Sequence, residues 1–234
     1  RNEATDLELN WLGNSSLRLR GKDASIVIDP WTKKLHGTMG RPKAHIILNS
    51  HRNNPLCTGN EQVAPAGDES PIIFDRPGEF EVSGVQVEGY ASRVDSSRIE
   101  PINDGQLSLS NKSDTEEKTS WFIQIDGLSI GVLSGLTDVL NGSGKDLFGG
   151  SQVILCPTGP EGTLPPGTMS RIIRDINPSV VIPYGYKGID DDDLLILANL
   201  LGTTISDSTN GISLTTRDII NDGPIQLLLT NAKN

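Results

Sequence analysis

The stretch Ser50-His51-Arg52-Asn53-Asn54-Pro55-Leu56 follows a short apolar run, Ile46-Ile47-Leu48. A buried strand that leads into a polar loop carrying histidine is a setting in which metal ligands are presented. This loop offers one imidazole, His51, and then amides, a proline and a leucine where further ligands would be needed. A neutral amide lacks the charge and basicity of carboxylate and imidazole, and Pro and Leu cannot ligate through their side chains.

Outward from that loop the chain reads as mixed α/β. Leu7, Leu9 and Trp11 alternate with polar residues up to Gly13, and Ser16 to Arg20 alternates again. Gly21-Lys22-Asp23 then turns into Ala24-Ser25-Ile26-Val27-Ile28-Asp29-Pro30, and Ala44 to Leu48 enters the opening loop as one strand. Pro71 to Phe74 reads as a short buried strand. Gly78 to Val87 reads as a turn that delivers Glu79 into a renewed alternation. The spacing predicts a hairpin with an Asp126-Gly127 turn, a buried strand Val153-Ile154-Leu155 and a helix carrying Met169, Ile172, Ile173 and Ile176. The run Asp190 to Asp193 precedes Leu194-Leu195-Ile196-Leu197-Ala198 and reads as a helix cap, since carboxylates accept the free amide hydrogens of a first turn. Residues 92–120 are polar and aperiodic, and a long surface loop is expected there within one domain spanning 1–234.

Composition narrows the function. The net charge of −10 with no basic run in the sequence argues against nucleic acid, whose phosphate backbone calls for Lys and Arg. No apolar run reaches the roughly 20 residues of a membrane span. Cys57 and Cys156 are too few for a disulfide framework; two packed thiols are expected, with a redox clamp as the sharper alternative. A cytoplasmic location is expected. The chain begins at Arg1 rather than Met, so an organelle reached after removal of a leader is the alternative.

Three motifs together carry a resemblance. Gly13-Asn14-Ser15-Ser16-Leu17-Arg18-Leu19, the loop at His51, and Arg76-Pro77-Gly78-Glu79-Phe80-Glu81-Val82-Ser83-Gly84-Val85 occur in the order and spacing of the metallo-β-lactamase superfamily. The third resembles most closely the branch that includes the L-ascorbate-6-phosphate lactonase. The resemblance covers about Leu7 to Leu229 and implies an α/β, β-rich αββα four-layer sandwich with helices outside. It also implies a centre of zinc or manganese. Matched to the family's pattern, the ligand positions fall on Asn14, His51, Asn53, Pro55, Leu56, Val132, Gly135 and Gly185, of which only His51 keeps a ligand. Asp29 and Glu79 would lie near the metal centre as supporting groups, which makes His51, Asp29 and Glu79 the candidate catalytic residues.

His45 does not replace the missing ligands, since six positions along one extended strand separate it from His51 by about 20 Å. No metal and no cofactor are therefore expected. Restoring the six other ligand positions from Asn53 to Gly185 is expected to recover metal binding only if the scaffold is intact. The function implied is that of an inactive superfamily member with a binding or structural role, holding a protein partner or small ligand in the former cleft, with oligomerisation left open. The alternative is a lactonase-like hydrolase, metal-dependent or metal-free, with a non-standard site. A serine hydrolase has Ser50, His51, Asp29 and Glu79 to draw on, but no Gly-x-Ser-x-Gly elbow.

Overall fold

Strict alternation makes β1 (Leu7–Gly13) and β2 (Ser16–Arg20) a hairpin whose Leu7, Leu9, Leu17 and Leu19 are fully buried, while Asn10, Arg18 and Arg20 stand on the other face. The computed structural model of the chain describes residues 6–93, 117–159, 163–205, 208–220 and 223–232. β3 (Ser25–Ile28) continues the meander. It is followed by α1 (Lys33–His36), β4 (Lys43–Ala44), β5 (Ile46–Leu48), β6 (Ala64–Pro65) and β7 (Ile72–Phe74).

The second half opens on the hairpin of β8 (Gly78–Val82) and β9 (Val85–Arg93). β10 (Glu117–Ile125) and β11 (Leu128–Val132) form the next hairpin. Its turn residues Asp126 and Gly127 have φ of 51° and 78°, the left-handed pair that a two-residue hairpin turn demands. Then come α2 (Gly142–Phe148), β12 (Val153–Pro157), α3 (Pro166–Ile176), β13 (Val180–Tyr184), α4 (Asp192–Leu201), β14 (Ile212–Leu214) and β15 (Gln226–Leu227).

These strands build two mixed sheets, in the orders β14-β1-β2-β3-β5-β7 and β15-β13-β12-β11-β10-β9-β8. The main core fills the space between them, with Leu19, Ile26, Ile28 and Leu48 from the first sheet meeting Val87, Trp121, Ile123 and Ile130 from the second. α2, α3 and α4 cover the second sheet, Phe148 packing edge-on against Tyr90 and Phe122. The outer face of the first sheet has a smaller cluster, Leu12, Val27, Trp31, Ala44, Ile47 and Val63, under α1, a 3-10 turn at Asn60–Gln62 and the two-stranded β4–β6 sheet. That outer helical layer is abbreviated because Gly37, Gly40 and Pro42 interrupt the segment that would supply it.

The structure departs from the expected elements at three places. The run Ala44 to Leu48 is broken at His45: β4 pairs with β6 in the small sheet, and β5 with β3 and β7 in the large one. His45 is pinned there, its N–H donating to Ser25 C=O (2.9 Å) and its own C=O accepting from Ile72 N–H (2.9 Å). β7 is an edge strand with Ile72 and Ile73 nearly half exposed, so its apolar character does not report burial. Ser92 and residues 117–120 belong to β9 and β10; the rest of the expected loop, 94–116, lies outside the described residues. The cap reading of the acidic run agrees with the structure: the Asp191 carboxylate accepts from Asp193 N–H and Leu194 N–H.

Candidate functional site

Asp29 ends β3 with φ of 48° and no exposed surface. Its carboxylate accepts two bonds from one residue, Ser50 N–H at 2.7 Å and Ser50 Oγ at 2.6 Å. β3 and β5 run parallel side by side, so the residues after each strand meet at the same end of the sheet. Burial nevertheless pushes the Asp29 carboxyl up to about 6, against the opposing effect of the Ser50 bonds. Around the pair lie Cys57, whose Sγ is 3.9 Å from Ser50 Oγ, and the buried Tyr184 at the end of β13. Burial, and then the neighbouring Asp29 and the two thiols, raise the Tyr184 phenol well above its ordinary value. Ser134 sits within electrostatic reach of both Asp29 and Tyr184. Its Oγ and the Tyr184 hydroxyl nonetheless make no hydrogen bond of good geometry among the described residues. The site is a buried hydroxyl, thiol and carboxylate cluster.

The loop that follows is held by its own backbone. Asn54 Oδ1 accepts from Leu56 N–H at 2.9 Å, and Asn54 C=O accepts from Cys57 N–H at 2.8 Å and from Thr58 Oγ1 at 3.0 Å. The first bond makes an Asx turn and the second closes a β-turn, and together they fix the loop locally. His51 is partly exposed, Asn53 and Pro55 are exposed, and Leu56 packs against the smaller apolar cluster. The neighbouring β1–β2 turn is formed by Asn14 with φ of 47°; its C=O accepts from Trp11 Nε1 at 2.8 Å, and Ser15 Oγ donates to Leu56 C=O at 3.3 Å.

The remaining ligand positions are structural. Val132 is fully buried in β11 between Trp121 and Leu155. Gly185 follows β13 at φ of 87°. Gly135 is the most constrained, since a Cβ there would lie 2.3 Å from the Thr119 carbonyl oxygen. That close approach lets Thr119 N–H donate to Ser50 C=O at 2.8 Å, joining the two sheets across the cleft. Arg52 reinforces the junction with a long contact of 3.9 Å to Glu117. Placing an aspartate, the residue of the family's pattern, at Gly135 would therefore require β10 to move.

Of the three candidate catalytic residues, Asp29 and His51 come to the same strand ends. Glu79 does not. It stands exposed on β8, on the outer face of the second sheet, beside Phe122, Gln86 and Glu88. The pairing Phe80 to Val87 turns the alternate residues, not Glu79, toward the core. His45 lies at the opposite end of β5 from His51. The side chain of His36 lies outside the described residues. Cys57 and Cys156 are both free and buried, as two packed thiols. Sequence reasoning missed Ser134, Tyr184 and Thr119. Ser134 and Tyr184 follow apolar strands in the same way as Ser50, and strand ends were the available signal.

Among the described residues no three His, Cys, Asp or Glu side chains are grouped so as to hold a metal ion, and Asp29 is already committed to Ser50. A cavity of about 660 Å³ is elsewhere, at the far end of the second sheet around Gln86, Asp126 and Gln152. A cavity of about 410 Å³ lies beside the 51–57 loop, lined by Thr32, Lys34, Leu35, Pro55 and Glu61.

Two facing mixed sheets with helices packed outside are the architecture of the metallo-β-lactamase fold. Within it the chain belongs to the Beta-lactamase superfamily domain family, which matches residues 8–185. It is similar in structure to a candidate Zn-dependent hydrolase of the metallo-beta-lactamase superfamily from Thermotoga maritima, at 20% identity and a TM-score of 0.69 over 96% of this chain and 100% of that one. A candidate metal-dependent hydrolase from Parabacteroides distasonis aligns at 16% identity and a TM-score of 0.64, over 98% and 94% of the two chains. Igni18, a metallo hydrolase from Ignicoccus hospitalis, aligns at 15% identity and a TM-score of 0.56, over 90% and 98%. At these identities the likeness is one of fold. No curated protein matches the sequence.

Proposed function

We propose that the chain is a catalytically inactive member of the superfamily, derived from the branch that resembles the L-ascorbate-6-phosphate lactonase, and that it works by binding. The observation that carries this is Gly135 seated on the Thr119 backbone, with Thr119 bonded to Ser50. A ligand position has become the point where the two sheets are joined, and such a close approach leaves no room for a coordinating side chain. The partner or small ligand is taken at the rim, where half-exposed Leu35 and Pro55 border the cavity next to the 51–57 loop.

One observation favours the alternative hydrolase. Ser50 Oγ lies 2.6 Å from a carboxylate whose affinity for protons is raised, which is the geometry of a hydroxyl and its base. A nucleophile must also meet substrate, and Ser50 is 4% exposed and Asp29 not at all. The test is metal analysis of protein purified without chelator, combined with assays on lactone, phosphodiester and ester substrates. The expected result is less than stoichiometric metal and no turnover. Tightly held metal at one ion per chain would falsify the inactive reading. Chelator-resistant turnover abolished by Ser50→Ala would establish the metal-free enzyme instead.

A further inference from the structure

On the outer face of the first sheet, away from the strand-end cluster, cationic side chains gather in an otherwise acidic protein. A recess of about 290 Å³ is lined by Arg18, Arg20, Lys22, Asp23, Lys43 and His45. They come from β2, the β2–β3 turn and the β4–β5 bend, so Lys43 and His45 reach it only through the fold. Arg20 is partly neutralised by Glu8 at 3.2 Å. Glu8 also attracts Arg18, Asp23 lines the recess, and the Asp126 carboxylate accepts from Lys22 N–H at 2.8 Å, so the four cationic side chains stand against three carboxylates.

The recess also has a directed donor without a partner. Arg18 Nε is buried and makes no hydrogen bond among the described residues. Leaving such a donor unsatisfied costs its full desolvation. Burial, together with the neighbouring Arg20, pushes the Arg18 guanidinium below its ordinary range, and a bound anion would relieve both effects. His45 Nδ1 accepts from the Ser25 backbone N–H at 3.0 Å, so the ring's proton is on Nε2 and His45 is a donor as well. We propose that this recess is a binding site for the phosphoryl group of a small phosphorylated molecule. The oxygens of a phosphoryl group match the guanidinium fork, the ammonium groups and the imidazole N–H. The site stands independently of whether the strand-end cluster is active.

The test is titration of the ¹⁵N-labelled protein with inorganic phosphate at constant ionic strength, following the arginine Nε–H signals, with calorimetry for affinity. The expected result is a saturable shift of one Nε–H signal that Arg18→Gln removes. Lys43→Gln is expected to weaken binding by about tenfold, as loss of one charge-assisted contact does. Lys43 is on an exposed strand position, so that variant decides the matter if Arg18→Gln fails to fold. A non-saturating response, a response reproduced by chloride, or undiminished affinity in Lys43→Gln overturns the site. Equal binding of malonate overturns the assignment to phosphate.

Discussion

Asp29 shows how one residue can set a pH dependence. Burial raises its carboxyl from 3.8 to about 6, so the folded state holds a proton that the unfolded chain has released. Its contribution to stability is therefore greatest below about pH 4 and declines as the pH rises through 6, by roughly 3 kcal/mol for about two pKa units. The Asp29→Asn variant is expected to flatten stability over that window, measured as the urea midpoint at about pH 4 and about pH 7. An unchanged slope would mean that the charge of Asp29 is already compensated. Gly135 is the second decisive residue. Gly135→Ala places a methyl against the backbone of Thr119, which cannot turn aside as a side chain could. A loss of about 1–3 kcal/mol is expected in denaturant melts, and wild-type stability would show that the β10 junction yields. Asp29 and His51 were legible in the sequence because they flank apolar strands. Gly135 was legible only as a missing ligand, since a close backbone approach between distant segments leaves no local trace.

At the scale of elements, the start of α4 is the clearest case of local sequence dictating structure. Asp191 accepts from Asp193 N–H, Leu194 N–H and Lys187 N–H, so one carboxylate secures both the helix and the turn before it. Asp191→Ala should cost about 1–2 kcal/mol, and Asp191→Asn markedly less, when compared by thermal denaturation. Equal losses would mean that negative charge at the helix dipole matters more than the cap bond. β7 teaches the opposite lesson. Its Ile72 and Ile73 read as a core strand, and its place at the sheet edge exposes them. β-branched residues favour extended backbone whether or not they are covered.

Across the whole molecule the two halves are joined at the strand ends, and the thiols record how tightly. Cys57 and Cys156 are free, 6% and 0% exposed, and burial raises the Cys156 thiol to about 12 and the Cys57 thiol higher still. Thiolate is scarce at neutral pH under such conditions. A thiol reagent is expected to modify neither cysteine in the folded protein and both after denaturation, with no internal disulfide formed by mild oxidants. Rapid labelling of the native chain, or a bridged peptide in its digest, would revive the redox clamp.

The sequence by itself determined the strands, their turns and the family of the fold. Those depend on alternation, turn chemistry and capping, which act over a few residues. It also determined which donor atoms stand at the positions matched to the family's ligands, because a side chain's donor atoms are fixed by its identity. Only the tertiary structure decided what gathers around those positions. Ser50, Cys57, Ser134 and Tyr184 gather around Asp29 because parallel strands of each sheet end at one edge. Glu79 stands apart from that cluster because the pairing register of β8 with β9 turns it outward. Arg18 and Lys43 come to share one recess, though 25 positions apart in the chain, because strand pairing brings β2, β3 and β5 side by side. Register and long-range pairing arise from the packing of the whole core, and no single stretch of residues encodes them.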